Sequence, residues 1–203
     1  MTSRKAFCAV STILLLPACI FAQSQITSRF YFPGIVGINF ETDNKQTEYQ
    51  AGAIITTAME YRPNEGTPFF YRFNYDNVTT KYSAALANIP TNVTNGTFHR
   101  ADFTIGAGYR KKFGRLGSYI LLQAGTGAQS YDRIIGLAPD YATSQVTLHS
   151  PSLKLTAGFE YYIVPHFALI IEPAFYKNDF NYNHVPLNNN QATVSIGFTT
   201  TLF

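Results

Sequence analysis

Leu153-Lys154-Leu155-Thr156-Ala157-Gly158-Phe159-Glu160-Tyr161 alternates without a break. Leu153, Leu155, Ala157, Phe159 and Tyr161 share one parity, and Lys154, Thr156, Gly158 and Glu160 the other. A period of two is the signature of an extended strand, whose side chains point to opposite faces in turn. The pattern recurs upstream. Phe30, Phe32, Val36, Ile38 and Phe40 oppose Arg29, Tyr31, Gly37 and Asn39. Tyr49, Ala51, Ala53, Ile55, Thr57, Met59 and Tyr61 oppose Gln50, Gly52, Thr56 and Glu60. Phe69, Tyr71, Phe73 and Tyr75 oppose Arg72 and Asn74, and Ala101 to Tyr109 oppose Arg100 to Arg110. Ile120, Leu122 and Ala124 face away from Gln123, Gly125 and Gly127. Downstream, Phe167 to Phe175 oppose Glu172 and Ala174, and Val194 to Leu202 oppose Thr193 to Thr199.

Eight such segments predict an all-β chain, a closed antiparallel transmembrane β-barrel of about eight strands. The connections point the same way. The first connection, Glu41–Gln46, is short to medium; after it Arg62–Thr67, Lys112–Gly117 and Val164–His166 are short, whereas 76–96, 131–147 and 177–190 are long. With both termini in the periplasm, every short link is periplasmic and every long one extracellular, the asymmetry of outer-membrane barrels. Composition agrees: of 203 residues only 13% are charged and 15% aromatic, with 17 Phe, 14 Tyr and no Trp. Soluble domains carry about 25% charge. A soluble barrel or secreted sandwich also alternates, but with its apolar row inward. Here the apolar row is free of charge across the middle of every segment, and Tyr or Phe sits near many segment ends, as an interfacial girdle requires. Pro33 and Pro173 fall inside strands, which predicts a bulge or a locally frayed ladder at each.

Residues 1–22 read as a signal peptide: basic Arg4 and Lys5, an apolar core from Ala9 to Leu16, and cleavage after Ala22. Residues 23–203 then form one outer-membrane β-barrel domain. Cleavage removes Cys8 and Cys19, so the mature chain has no cysteine for a disulfide. Leu16-Pro17-Ala18-Cys19 is the alternative, a lipoprotein box that would leave Cys19 lipidated. The 15 basic residues less Arg4 and Lys5 leave 13 against 12 acidic, a net charge of +1 without a basic patch, which argues against nucleic acid as a partner.

The final strand, Val194-Ser195-Ile196-Gly197-Phe198-Thr199-Thr200-Thr201-Leu202-Phe203, resembles the C-terminal signal read by the barrel-assembly machinery, with Phe203 as its terminal aromatic. Phe198 and Ile196 lie on the opposite parity from Phe203, which a terminal bulge, or a last residue turned off the strand, would reconcile. The run Ala157-Gly158-Phe159-Glu160-Tyr161-Tyr162-Ile163-Val164-Pro165-His166-Phe167-Ala168-Leu169-Ile170-Ile171-Glu172-Pro173 resembles the penultimate hairpin of the small outer-membrane β-barrel family of Bacteroidota. The resemblance implies a cell outer-membrane location, with outer-membrane lipid and the assembly machinery as partners.

Little in the sequence carries chemistry. His99, His149, His166 and His184 each stand alone, and no cofactor motif is present. An outer-leaflet lipid A modifying enzyme would need a nucleophile, a base and an acid near the upper rim. The nearest candidates are His149-Ser150 with Ser152, and His99 with Asp102; ordinary rim polarity is the simpler reading. Asn77, Asn92 and Asn95 begin Asn-x-Ser/Thr sequons, read here as polar loop residues.

An eight-stranded barrel has an interior just wide enough for side chains. The row assigned to the lumen carries Arg29, Glu60, Arg72, Arg100, Asp102, Arg110, Lys154, Glu160 and Glu172, nearly balanced in sign. A sign-selective pore would be biased. The expected site is therefore a structural ion-pair network of Arg29, Glu60, Arg72, Arg110, Glu160 and Glu172, centred on an Arg29–Glu60–Arg72 cluster at the periplasmic end. The expected function is a non-enzymatic integral outer-membrane protein whose extracellular loops serve structural, adhesive or ligand-binding roles. The alternatives are the lipid A enzyme and an accessory subunit of a secretion or assembly machine.

Overall fold

Each strand has one apolar and one polar face, and the chain satisfies both by closing the sheet on itself. The computed structural model describes residues 29–41, 47–63, 67–84, 95–135, 140–180 and 190–201. Nine strands occur among the described residues: β1 Phe30–Glu41, β2 Thr47–Tyr49, β3 Gly52–Tyr61, β4 Phe69–Ala84, β5 Asn95–Phe113, β6 Leu116–Ile135, β7 Ala142–Val164, β8 Phe167–Asn178 and β9 Asn190–Thr200. Each pairs antiparallel with its neighbours, and β1 pairs with β9 in register Val36↔Ile196, which closes the ring. The barrel has eight staves, because β2 and β3 both pair with β4 and together form the second stave.

The split in that stave corrects one face assignment. Ala53 lies opposite Thr79, but Tyr49 lies opposite Tyr82, so the chain takes one more step than β4 between these pairs. The extra residue is a bulge at Gln50–Ala51, with the Gln50 N–H donating to the Lys81 carbonyl at 3.1 Å. A one-residue slip exchanges faces. Tyr49 therefore leaves the lipid-facing row where the alternation puts it and packs edge-on against Phe98 inside the barrel.

The long connections also shrink. β4 continues to Ala84 and β5 begins at Asn95; β6 runs to Ile135 and β7 begins at Ala142. Most of 76–96 and 131–147 is thus strand, because paired polar residues such as Thr79↔His99 and Ser130↔Thr147 continue the ladder beyond the apolar zone. β7 has 23 residues, about twice the 9–11 that cross a bilayer. Residues 181–189 of the third long connection, residues 1–22 expected to be a signal peptide, and Phe203 lie outside the described residues.

The two prolines interrupt the ladder without bulging it. On either side of Pro33 the β1–β3 pairs Tyr31↔Glu60 and Gly34↔Thr57 keep one register, and Pro173 sits in a similar gap between Thr156↔Ala174 and Phe159↔Ile171. Each proline lacks an N–H on one side and keeps its pairing on the other, Pro33↔Thr199 and Pro173↔Val194.

The distribution of polarity is inside out. Val36, Ile55, Ile105, Ile120, Leu155 and Ile196 stand exposed on the outer wall, Ile105 by 66%, while Arg72, Arg100, Lys154 and Glu60 are buried. Water cannot be the solvent of such a wall. Aromatic pairs ring it near the turns: Phe30–Tyr61, Phe69–Tyr109 and Phe167–Phe198 at 5.1–5.8 Å. Tyr75–Phe103, at 4.7 Å, lies further up the wall. The barrel spans a membrane, with its apolar belt in the hydrocarbon and its polar row in the lumen.

Candidate functional site

The lumen is filled from the periplasmic end upward by two layers of charge. β3 and β4 hold the first, since Glu60 and Arg72 are direct cross-strand partners. Glu60 Oε2 accepts from Arg72 Nε at 2.8 Å and from Nη2 at 2.6 Å, and Glu60 Oε1 pairs with Arg62. Arg72 reaches across the barrel to Glu172 on β8, which also accepts from the Tyr119 hydroxyl. Arg62 joins Glu160 at 3.1 Å, and its guanidinium lies 3.5 Å over the Tyr31 ring. The Tyr162 hydroxyl accepts from Arg62 at 3.2 Å and from Arg110 at 3.0 Å, and donates to Glu160 at 2.7 Å. Arg110 approaches Glu160 to 3.6 Å. Three arginines thus meet three glutamates, and the layer is neutral.

Small residues make room for it. A Cβ on Gly158 would fall on the Tyr119 ring, so only glycine lets that ring lie across β7 with its hydroxyl at Glu172. Phe70, Tyr119, Leu121 and Ile170 form an apolar cluster beside the layer, and Arg72 stacks over Tyr119 at 4.8 Å.

The second layer lies four to six residues further along the strands, from Glu60 to Thr56, Arg72 to Asp76 and Glu160 to Lys154. Lys154 donates to both oxygens of Asp76, at 3.0 and 2.9 Å, and Thr56 donates to Asp76 at 2.6 Å. Arg100 donates to Asp102 at 2.8 Å. Both cations flank the Tyr176 ring, at 4.8 and 5.4 Å. Gln123 donates to Asn74 at 3.0 Å between the layers. Two cations again meet two anions. Above them Asn39 bridges Glu41 and Thr80, and Tyr82, Phe98 and Tyr131 form an aromatic cluster with Tyr49, Val146 and Leu148.

The structure brings together Glu60, Arg72, Arg110, Glu160 and Glu172, but not Arg29. Arg29 precedes β1 and is exposed; its carbonyl accepts from the Arg62 N–H at 2.8 Å, while its side chain forms no ion pair among the described residues. Arg62 occupies the place given to Arg29, because the inward row of β3 continues one step past Tyr61, where the alternation is read as a turn. Asp76 was hidden for the same reason: it continues the row Phe70, Arg72, Asn74 into a stretch read as loop. Tyr119 and Tyr162 lie on inward parity but resemble girdle residues in composition.

The rim residues considered for lipid chemistry do not assemble. His99 faces outward, bonded to Thr79 at 3.1 Å, while Asp102 faces the lumen and pairs with Arg100. His149 is exposed; Ser150 is turned inward, donating to the Pro151 carbonyl at 2.8 Å and accepting from the Asp179 N–H at 2.7 Å. The barrel wall separates each histidine from its acid or hydroxyl. No metal-binding group of His, Cys, Asp or Glu occurs among the described residues.

No protein-family model matches the chain, and no curated protein matches it in sequence. Solved structures do. Neisserial surface protein A, at 16% identity and a TM-score of 0.57, aligns over 85% of this chain and 97% of its own. OprG of Pseudomonas aeruginosa (13% identity, TM-score 0.48) aligns over 84% of this chain and 94% of its own. Ail of Yersinia pestis (14% identity, TM-score 0.47) aligns over 85% and 99%. The first of these likenesses bears on the fold, and with the inside-out wall it makes this chain a small outer-membrane β-barrel, resident in the cell outer membrane.

Proposed function

We propose that the protein is a non-enzymatic integral outer-membrane barrel with a sealed lumen, whose tall extracellular hairpins carry a structural, adhesive or ligand-binding role. The observation that carries this reading is the pair of neutral ion-pair layers across the lumen, with Glu60, Arg72, Arg110, Glu160 and Glu172 as structural elements joined by Arg62. Charges matched one to one and bonded to each other offer no field for conducting one sign of ion. β4 to β7 rise well past the apolar belt, and exposed hairpins on a rigid scaffold are where recognition resides. These hairpins are where an extracellular ligand binds. Separation of His99 from Asp102 and of His149 from Ser150 disfavours the lipid A enzyme.

The remaining proposals concern biogenesis and lineage. Residues 1–22 direct export, and the run from Val194 to Phe203 carries the signal read by the assembly machinery. The Ala157–Pro173 hairpin supports kinship with the Bacteroidota barrels. In planar bilayers the purified barrel gives no sustained single-channel current, and on unheated SDS gels it migrates differently from the boiled form. Stable ohmic channels overturn the sealed-lumen reading. Recovery as a soluble, heat-insensitive periplasmic protein overturns membrane integration.

A further inference from the structure

The outer wall is not uniform at its periplasmic end. On β5, β6 and β7 three outward rows stack in register: Tyr109–Ile120–Ala157, Lys111–Ser118–Phe159 and Phe113–Leu116–Tyr161. Ser118 and Ala157 are small amid large neighbours, so the wall sinks into a groove of about 430 Å³ between Tyr109, Phe113, Ile120 and Phe159. The groove is apolar except at its periplasmic end, where the Lys111 ammonium stands 5.0 Å from the Phe113 ring. The β5–β6 turn closes just below it. Gly114 takes φ 59°, which favours glycine, and the Arg115 carbonyl accepts from the Tyr162 N–H at 2.8 Å, which ties the tip to β7. Lys111, Lys112 and Arg115 are exposed, and no carboxylate pairs with any of them among the described residues.

An apolar groove within the hydrocarbon belt, ending in unpaired cations at headgroup level, is complementary to a lipid that carries an acyl chain and a net negative head. We propose that this groove binds one anionic phospholipid of the periplasmic leaflet, with its chain over Ser118 and Ala157 and its phosphate at Lys111. Arg115 adds attraction from the turn, whereas Lys112 sets its ammonium 4.1 Å over the lumen-side Tyr162 ring. The proposal rests on the membrane reading and on the periplasmic placement of the short turns.

The chain has no tryptophan, so Phe159→Trp supplies a single indole at the groove. Leu169→Trp supplies one on β8, elsewhere on the outer wall. Each variant is reconstituted in phosphatidylcholine vesicles containing brominated phosphatidylglycerol or brominated phosphatidylcholine, and quenching gives the relative affinity at that indole. The expected result is a preference for phosphatidylglycerol of about fivefold at Phe159→Trp, the size of one basic residue near an anionic surface. The preference falls to near one when Lys111→Gln and Arg115→Gln are added, and is near one at Leu169→Trp. Equal quenching by both lipids at Phe159→Trp overturns the proposal, as does a preference that survives the two neutralising changes. So does the same preference at Leu169→Trp, which would reflect the vesicle surface and not a site. Absence of quenching at both indoles sinks the membrane reading itself, and the two failures are thus distinguishable.

Discussion

Replacing Glu60 by alanine tests the ion-paired lumen most directly. Glu60 is 1% exposed and accepts from Arg72 through two nitrogens, at 2.8 and 2.6 Å, and from Arg62 through a third. Its loss leaves three arginines against Glu160 and Glu172, a net positive layer in a closed lumen. Removing one partner of a buried pair costs about 3–5 kcal/mol. Arg72 keeps Glu172 and Arg62 keeps Glu160, so the expected loss is at the lower end, about 3 kcal/mol. An exposed pair would contribute no more than about 1 kcal/mol. Urea unfolding in lipid vesicles, followed by gel mobility and far-ultraviolet circular dichroism, measures the difference. Glu60→Gln, which keeps the volume and removes the charge, is expected to lose nearly as much. The double variant with Arg72→Ala is expected to lose less than the sum of the singles by over about 1 kcal/mol, because the two side chains share one interaction. A loss below about 1 kcal/mol for Glu60→Ala, or additivity within about 0.5 kcal/mol, refutes the reasoning.

Other perturbations probe separate elements. Gly158→Val drives a side chain into the Tyr119 ring and is expected to lower stability by about 1–3 kcal/mol, visible as a reduced temperature for the heat-dependent gel shift. Phe98→Ala removes a fully buried ring from the extracellular cluster, and an equilibrium unfolding midpoint equivalent to a loss of about 3–5 kcal/mol is expected. Lys154→Met strands Asp76 without its cation; its urea midpoint should fall well below that of the charge-removing pair Lys154→Met with Asp76→Asn. In intact cells, a membrane-impermeant thiol reagent should label Thr97→Cys and not Arg115→Cys, and the opposite result would invert the barrel.

Much of this architecture is legible in the sequence because a strand has an integral period. Lys154, Thr156 and Glu160 share a lumen face with Ser152 and Tyr162, and parity alone says so. The Glu60↔Arg72 pairing follows from one short hairpin, whose arms fix each other's register. Local alternation does not show where a strand ends. Strand length above the bilayer is set by cross-strand hydrogen bonding, which polar residues such as Thr79 and His99 support as well as apolar ones do; Asp76 was hidden in a stretch read as loop, and Arg62 one step past the periplasmic end of β3.

The sequence by itself determined the all-β closed barrel, the lipid-facing and lumen rows, and most of the charges that fill the interior, because each depends only on spacing along one chain. The tertiary structure alone decided which charges meet across the lumen. Arg72 finds Glu172 and Arg62 finds Glu160 across the barrel, at separations of 100 and 98 residues. It also decided that Tyr49 turns inward at a one-residue bulge. Contacts across a lumen depend on how far each stave is staggered around the ring, and a bulge depends on the strand it must match; neither is written in the period of a single strand.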